Sequence, residues 1–136
     1  MAESFPDRLD YAEPEVCPAN RAFDLVAHKW TVTILHRLRV TGGPVRFRQL
    51  QRLIGAITQK ELTKRLRELE RSGLVSREVF AEVPPRVEYR MTDLGSTLIP
   101  ALAGLHEWAE RHGDLVARNQ RRSDEARAEA ARVAAG

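Results

Sequence analysis

Between Arg46 and Ser72 the chain reads RFRQLQRLIGAITQKELTKRLRELERS. Apolar residues recur there at helical spacing on both sides of Gly55-Ala56, so two short amphipathic helices must meet at a tight turn. In the first run, Val45 to Ile54, the residues Phe47, Leu50, Leu53 and Ile54 share one side, and Arg46, Arg48, Gln49 and Arg52 take the rest. After the turn, Thr58 is placed to cap a helix by accepting from the N–H of Glu61, with Glu61 at the reciprocal capping-box position. At about 100° per residue, Leu66 and Leu69 fall within about 40° of Leu62, while Lys60, Lys64, Arg67 and Arg71 lie near the opposite pole. A leucine side and a cationic ridge on one helix, entered through a tight turn, is the pattern of a helix-turn-helix that grips DNA.

The rest of the chain reads as what holds that unit. At 136 residues there is enough chain for one ordinary core and too little for two. Hydrophobic residues at 43% and charged residues at 30% suit a soluble globular protein. No apolar run approaches the roughly 20 residues a bilayer needs, and the N-terminus lacks a signal-peptide layout, so a cytoplasmic protein without membrane contact is expected. Cysteine occurs once, at Cys17, so no intrachain disulfide can form. The charge is segregated: residues 1–17 carry one cation against five acids, and residues 46–90 carry eleven against six. Such a distribution suggests a polyanionic partner.

Three segments follow in chain order. Residues 1–16, with scattered acids and no apolar period, form an acidic arm, residues 17–113 form the domain, and residues 114–136 form a tail rich in Ala, Arg and Glu with no face to bury. Within the domain, Pro18 suits the first turn of a helix carrying Ala22, Leu25 and Val26. A break near His28-Lys29 precedes a second helix lined by Trp30, Ile34, Leu35 and Leu38, which Thr41-Gly42-Gly43-Pro44 must stop. Beyond Ser72-Gly73, Leu74–Phe80 and Val87–Met91 alternate as a two-stranded hairpin, with Val87, Tyr89 and Met91 on its dry face. Thr92 then caps a long helix whose stripe of Leu94, Leu98, Ile99, Leu102, Leu105 and Trp108 is wide enough for a subunit interface. Pro100 is expected to kink or split that helix, and His112-Gly113 to end it.

Helix, helix, helix, turn, helix, hairpin, helix is a winged helix-turn-helix order: α+β, mostly α. A helix of about 10–12 Å diameter fits the major groove while the hairpin reaches the flanking backbone. The first turns of the second helix, Thr58, Gln59, Lys60, Thr63 and Lys64, are then the base-contacting candidates, since Gln pairs with adenine and Lys reaches guanine. Arg46, Arg48, Arg67, Arg71 and Arg86 are the phosphate-contacting candidates.

These residues resemble the HxlR-type family of bacterial winged helix-turn-helix transcriptional regulators. The similarity rests on Cys17-Pro18, Lys29-Trp30, Arg46-Phe47 with Leu50, and Leu62-Thr63 with Leu66, Leu69 and Glu70. It continues through Pro84, Val87, Glu88 and Tyr89 in the wing and through Thr92, Gly95 and Trp108, covering about residues 17 to 112. Two positions depart from the family pattern: Ala56-Ile57-Thr58 stands where Gly-Ile-Ser is usual, and Met91 stands where Leu is common. The resemblance implies a homodimer joined by its N- and C-terminal helices, and hence two recognition helices about 34 Å apart on an inverted-repeat operator.

Each sharp reading has a plainer rival. Lys60, Lys64, Arg67 and Arg71 could be a solvated face paired to Glu61 and Glu68. Trp30, Leu102, Leu105 and Trp108 serve as packing, as the dimer seam, or as the lining of a small-molecule effector pocket. Cys17 is a small buried side chain, or, as the resemblance implies for some relatives, a sensor of oxidants or electrophiles with a thiol activated at a helix start. His28, His36, His106 and His112 lack acids or thiols at ligand spacing, so no metal is expected; nor is a cofactor or an enzymatic constellation. The whole-chain alternative is a winged helix that binds an acidic protein instead of DNA.

Overall fold

The computed structural model describes residues 18–136, so Cys17 and the arm of residues 1–16 lie outside the described residues. The elements are α1 (Pro18–Val26), α2 (Lys29–Thr41), β1 (Val45–Arg46), α3 (Phe47–Ile54), α4 (Gln59–Arg71), β2 (Val75–Phe80), β3 (Arg86–Met91) and α5 (Asp93–Ala135). The chain divides into two compact units, the first running through Thr97 and the second from Leu98 to Gly136.

In the first unit, α2 begins on His28, whose Nδ1 accepts from the Trp30 N–H at 3.3 Å. It ends on Gly42, which takes the left-handed conformation (φ 73°) while its N–H reaches the Leu38 carbonyl. Pro44 disfavours helix at the residue before it, so the chain leaves this stop extended. This corrects the expectation that Val45 to Ile54 is helical throughout. Val45 and Arg46 pair antiparallel with Tyr89 and Glu88, giving a three-stranded sheet of order β1-β3-β2 in place of the expected two-stranded hairpin. A two-residue strand is too short to show an alternating pattern.

The core of this unit joins α2, α3, α4 and the sheet. Ile34, Leu35, Val45, Leu50, Leu62 and Leu69 have no exposed surface, and Leu38, Ile57, Leu66, Leu74, Val75 and Tyr89 are nearly as buried. Trp30 lies at the margin, half-buried, with the Lys29 ammonium 4.9 Å from its ring centre. Thr92 fixes the start of α5 on this core. Its hydroxyl donates to the Gly73 carbonyl at 2.6 Å and accepts from the Gly95 N–H at 3.1 Å. Gly95 is there because the contact is too close for any side chain. A Cβ would strike the Leu74 carbonyl and come within 2.8 Å of Met91 Cγ.

The second unit is helix, and it departs from expectation. Pro100 does not split α5, and the stop expected at His112-Gly113 does not occur: the helix runs to Ala135. Pro100 removes only the bond to the Ser96 carbonyl, and both residues are exposed, so that carbonyl can face water. An interior Gly costs only about 1 kcal/mol relative to Ala, so Gly113 does not by itself oblige the helix to end. Leu102 is buried, whereas Leu105, Trp108 and Leu115 are more than half exposed.

Candidate nucleic-acid interface

Gly55 makes the turn between α3 and α4, at φ 87° and ψ −62°, a conformation open to glycine and costly to other residues. The Gln51 amide donates to the Ile57 carbonyl at 3.4 Å, and Ile57 is itself buried, so the turn is held from both ends. Thr58 caps α4 as its sequence implies, accepting from the Glu61 N–H at 3.1 Å. The reciprocal bond of the capping box is absent among the described residues. Glu61 instead lies 3.3 Å from Arg65 Nε and 3.5 Å from His28 Nε2.

That diversion decides which cations are free. Arg65 is 8% exposed and lies between two carboxylates, Glu61 and, at 3.0 Å from Nη1, Glu68. Glu61 and Glu68 are thereby paired to Arg65, although Glu68 also borders the outer groove. Among the described residues Lys60, Lys64, Arg67 and Arg71 form no ion pair, and all four are exposed. The Coulomb field of that ridge is left for a partner.

The base-reading candidates share this surface. A groove of about 760 Å³ runs along α4 past Gln59, Lys60, Thr63, Lys64, Arg67, Glu68 and Arg71. Thr63 donates its hydroxyl proton to the Gln59 carbonyl at 2.7 Å, which leaves the oxygen as an acceptor toward the groove. Gln59 is the hub, for it also lines a cleft of about 490 Å³ beside Arg48 and Arg52 of α3, and another of about 450 Å³ between α4 and the sheet. Arg46, on β1 at the start of α3, is exposed and unpaired among the described residues.

Arg86 is placed differently. Its guanidinium lies 3.2 Å from Glu82 and 3.4 Å from Glu88 and stacks 4.1 Å from the Phe80 ring centre. These contacts keep the side chain within the wing. Two cations that sequence reasoning had left out of the site do line its clefts: Arg52 and Arg77. Arg52 has the same spacing from Arg48 as successive turns of a helix, a signal that was there to be used. Arg77 reaches its cleft only because the sheet folds back along α4.

The outlying candidates lie apart from this surface in the chain. Trp108 packs a tilted ring 5.3 Å from His112 on the exposed side of α5, and Cys17 lies outside the described residues. No helix among the described residues is long and apolar enough to cross a membrane.

The HTH-type transcriptional regulator YdeP of Bacillus subtilis (strain 168) is 39% identical over 110 residues, covering 79% of this chain and 84% of that one. Among solved structures, the redox regulator HypR in its reduced form is 38% identical with a TM-score of 0.64, covering 74% of this chain and 97% of that one. The reduced form of the transcriptional regulator YodB from B. subtilis is 36% identical with a TM-score of 0.61, over 70% and 92%. A family profile described as HxlR-like helix-turn-helix matches residues 25–117. With that match spanning most of its length, the chain belongs to the HxlR-like helix-turn-helix family of transcriptional regulators.

Proposed function

We propose that this protein is a transcriptional regulator that binds an inverted-repeat operator as a homodimer and represses by occluding it. The observation that carries the reading is the unpaired ridge of Lys60, Lys64, Arg67 and Arg71, beside an Arg65 whose charge is internally neutralised. Thr58, Gln59, Lys60, Thr63 and Lys64 enter the major groove and meet base edges. Arg46, Arg48, Arg67 and Arg71 take phosphates, while Arg86 contributes by stiffening the wing. Exposed Leu105 and Trp108 form the dimer seam on α5, whereas Leu102, expected there too, is already buried within the single chain.

Selection of bound duplexes from a random pool with the purified protein tests this reading. Recovery of a two-fold symmetric site with half-sites one helical turn apart, roughly 34 Å, is expected. A single half-site or a direct repeat would refute the two-fold dimer. The rival reading, an acidic protein partner, predicts either no binding to DNA or nearly equal affinity for all duplexes, the salt-sensitive, sequence-independent binding that phosphate contacts alone give.

Control is assigned to Cys17. Similarity to proteins described as a redox regulator and as the reduced form of a regulator supports this assignment. With one cysteine per chain, a protein disulfide must join two chains: two thiols lose two electrons and two protons to an oxidant such as diamide. Diamide should change operator affinity in the wild type and leave Cys17→Ser unaffected. An identical response in both would remove Cys17 from the mechanism.

A further inference from the structure

The cleft between α4 and the wing brings together two arginines from separate elements. Arg67 comes from the outer ridge of α4, and Arg77 from the body of β2, where it stands opposite Tyr89 in the ladder. The cleft also contains Glu70, yet neither guanidinium forms an ion pair with it or with any other described acid. Val87 and Tyr89 give the cleft an apolar wall, against which a charged hydrogen bond is stronger than in open water. Two guanidiniums in one cleft, neither of them paired to its Glu70 carboxylate, repel each other, and an anion between them relieves that repulsion while accepting from both.

We infer that Arg67 and Arg77 grip one backbone phosphate of the bound DNA, so that the wing's charged contact comes from the body of β2 and not from Arg86. This assignment rests on the DNA-binding reading above. The shape of the surface favours a passing strand over a small anion. Gln59, Thr63 and Arg67 line both this cleft and the groove along α4, so the two adjoin. A phosphate held here would flank the bases that Gln59 and Thr63 meet, fixing the register of the recognition helix on the duplex.

The test uses the full-length protein and two duplexes, the one recovered by selection and a scrambled version of it, with anisotropy titrations over a range of KCl concentrations. Arg77→Ala is expected to weaken binding to both duplexes by a similar factor, about tenfold, and to reduce the slope of log affinity against log salt by about one phosphate's worth, roughly 0.9. Arg77→Lys should restore most of that slope. Adding Arg67→Ala to Arg77→Ala should lower the slope by less than the sum of the single changes, because both residues serve one phosphate. If Arg77→Ala keeps the wild-type slope and affinity, the assignment is overturned while the DNA-binding reading stands. A wild-type protein that binds neither duplex overturns both.

Discussion

At the scale of single residues, the surface of α4 sorts adjacent side chains into opposite fates. Arg65 and Arg67 are two positions apart, yet one is buried against Glu61 and Glu68 and the other is exposed and unpaired. Lys64, just before Arg65 in sequence and exposed, has a flexible point charge suited to a base edge. Lys64→Ala is therefore expected to relax specificity at one operator position, by about 1–3 kcal/mol of discrimination, which a comparison of single-base operator variants would read. Loss of affinity to all variants in equal measure would instead make Lys64 a phosphate contact. Gly95 makes a different kind of residue-scale demand. Since an added Cβ meets the Leu74 backbone carbonyl and not the end of a flexible side chain, Gly95→Ala should lower stability by about 1–3 kcal/mol. Urea denaturation would measure it, and an unchanged midpoint would mean that α5 can shift its first turn freely.

At the scale of elements, the recognition helix is fixed by its cap, its leucine side and the Arg65 pairs. The leucines were legible because 3.6-residue periodicity is written locally: Leu62, Leu66 and Leu69 are all buried as their spacing implies. Thr58 was legible for the same reason, since capping involves residues three apart. The Glu61–His28 contact was not legible, because it joins the start of α2 to the first turn of α4. Arg65→Ala should destabilise the protein by about 1–3 kcal/mol, since it leaves the partly buried Glu61 and Glu68 without their cation. Arg65→Met, which keeps the aliphatic stem, should recover part of the packing but not the charge. If thermal melts show both variants as stable as the wild type, the pairs only neutralise charge and do not hold the helix.

At the scale of the whole molecule, α5 raises the question of what supports it. In the unit from Leu98 to Gly136, Leu102 is the one buried large apolar residue, and Leu105, Trp108, Leu115 and Val133 are exposed. An isolated helix gains little from propensity, and in proteins most helical stability comes from packing an apolar face. Under the dimer proposed above, light scattering after size-exclusion chromatography should give about twice the 15.4 kDa chain mass. Leu105→Asp should shift the protein toward the monomer and lower its helical circular dichroism together. A monomeric wild type with full helicity would mean that the seam lies elsewhere or does not exist.

What the sequence by itself determined is whatever depends on neighbours a few positions apart. The two sides of α4, the cap at Thr58, the stop at Gly42 and the turn at Gly55 all follow from backbone stereochemistry and helical period. The tertiary structure alone decided the partners of residues far apart in the chain. It made Val45 and Arg46 a strand because Tyr89 and Glu88 were there to pair with them. It gave Arg86 to Glu82, Glu88 and Phe80, and it set Arg77 facing the same cleft as Arg67. A cation's availability to DNA is a property of which carboxylates reach it, and that is fixed only when the sheet closes against the helix.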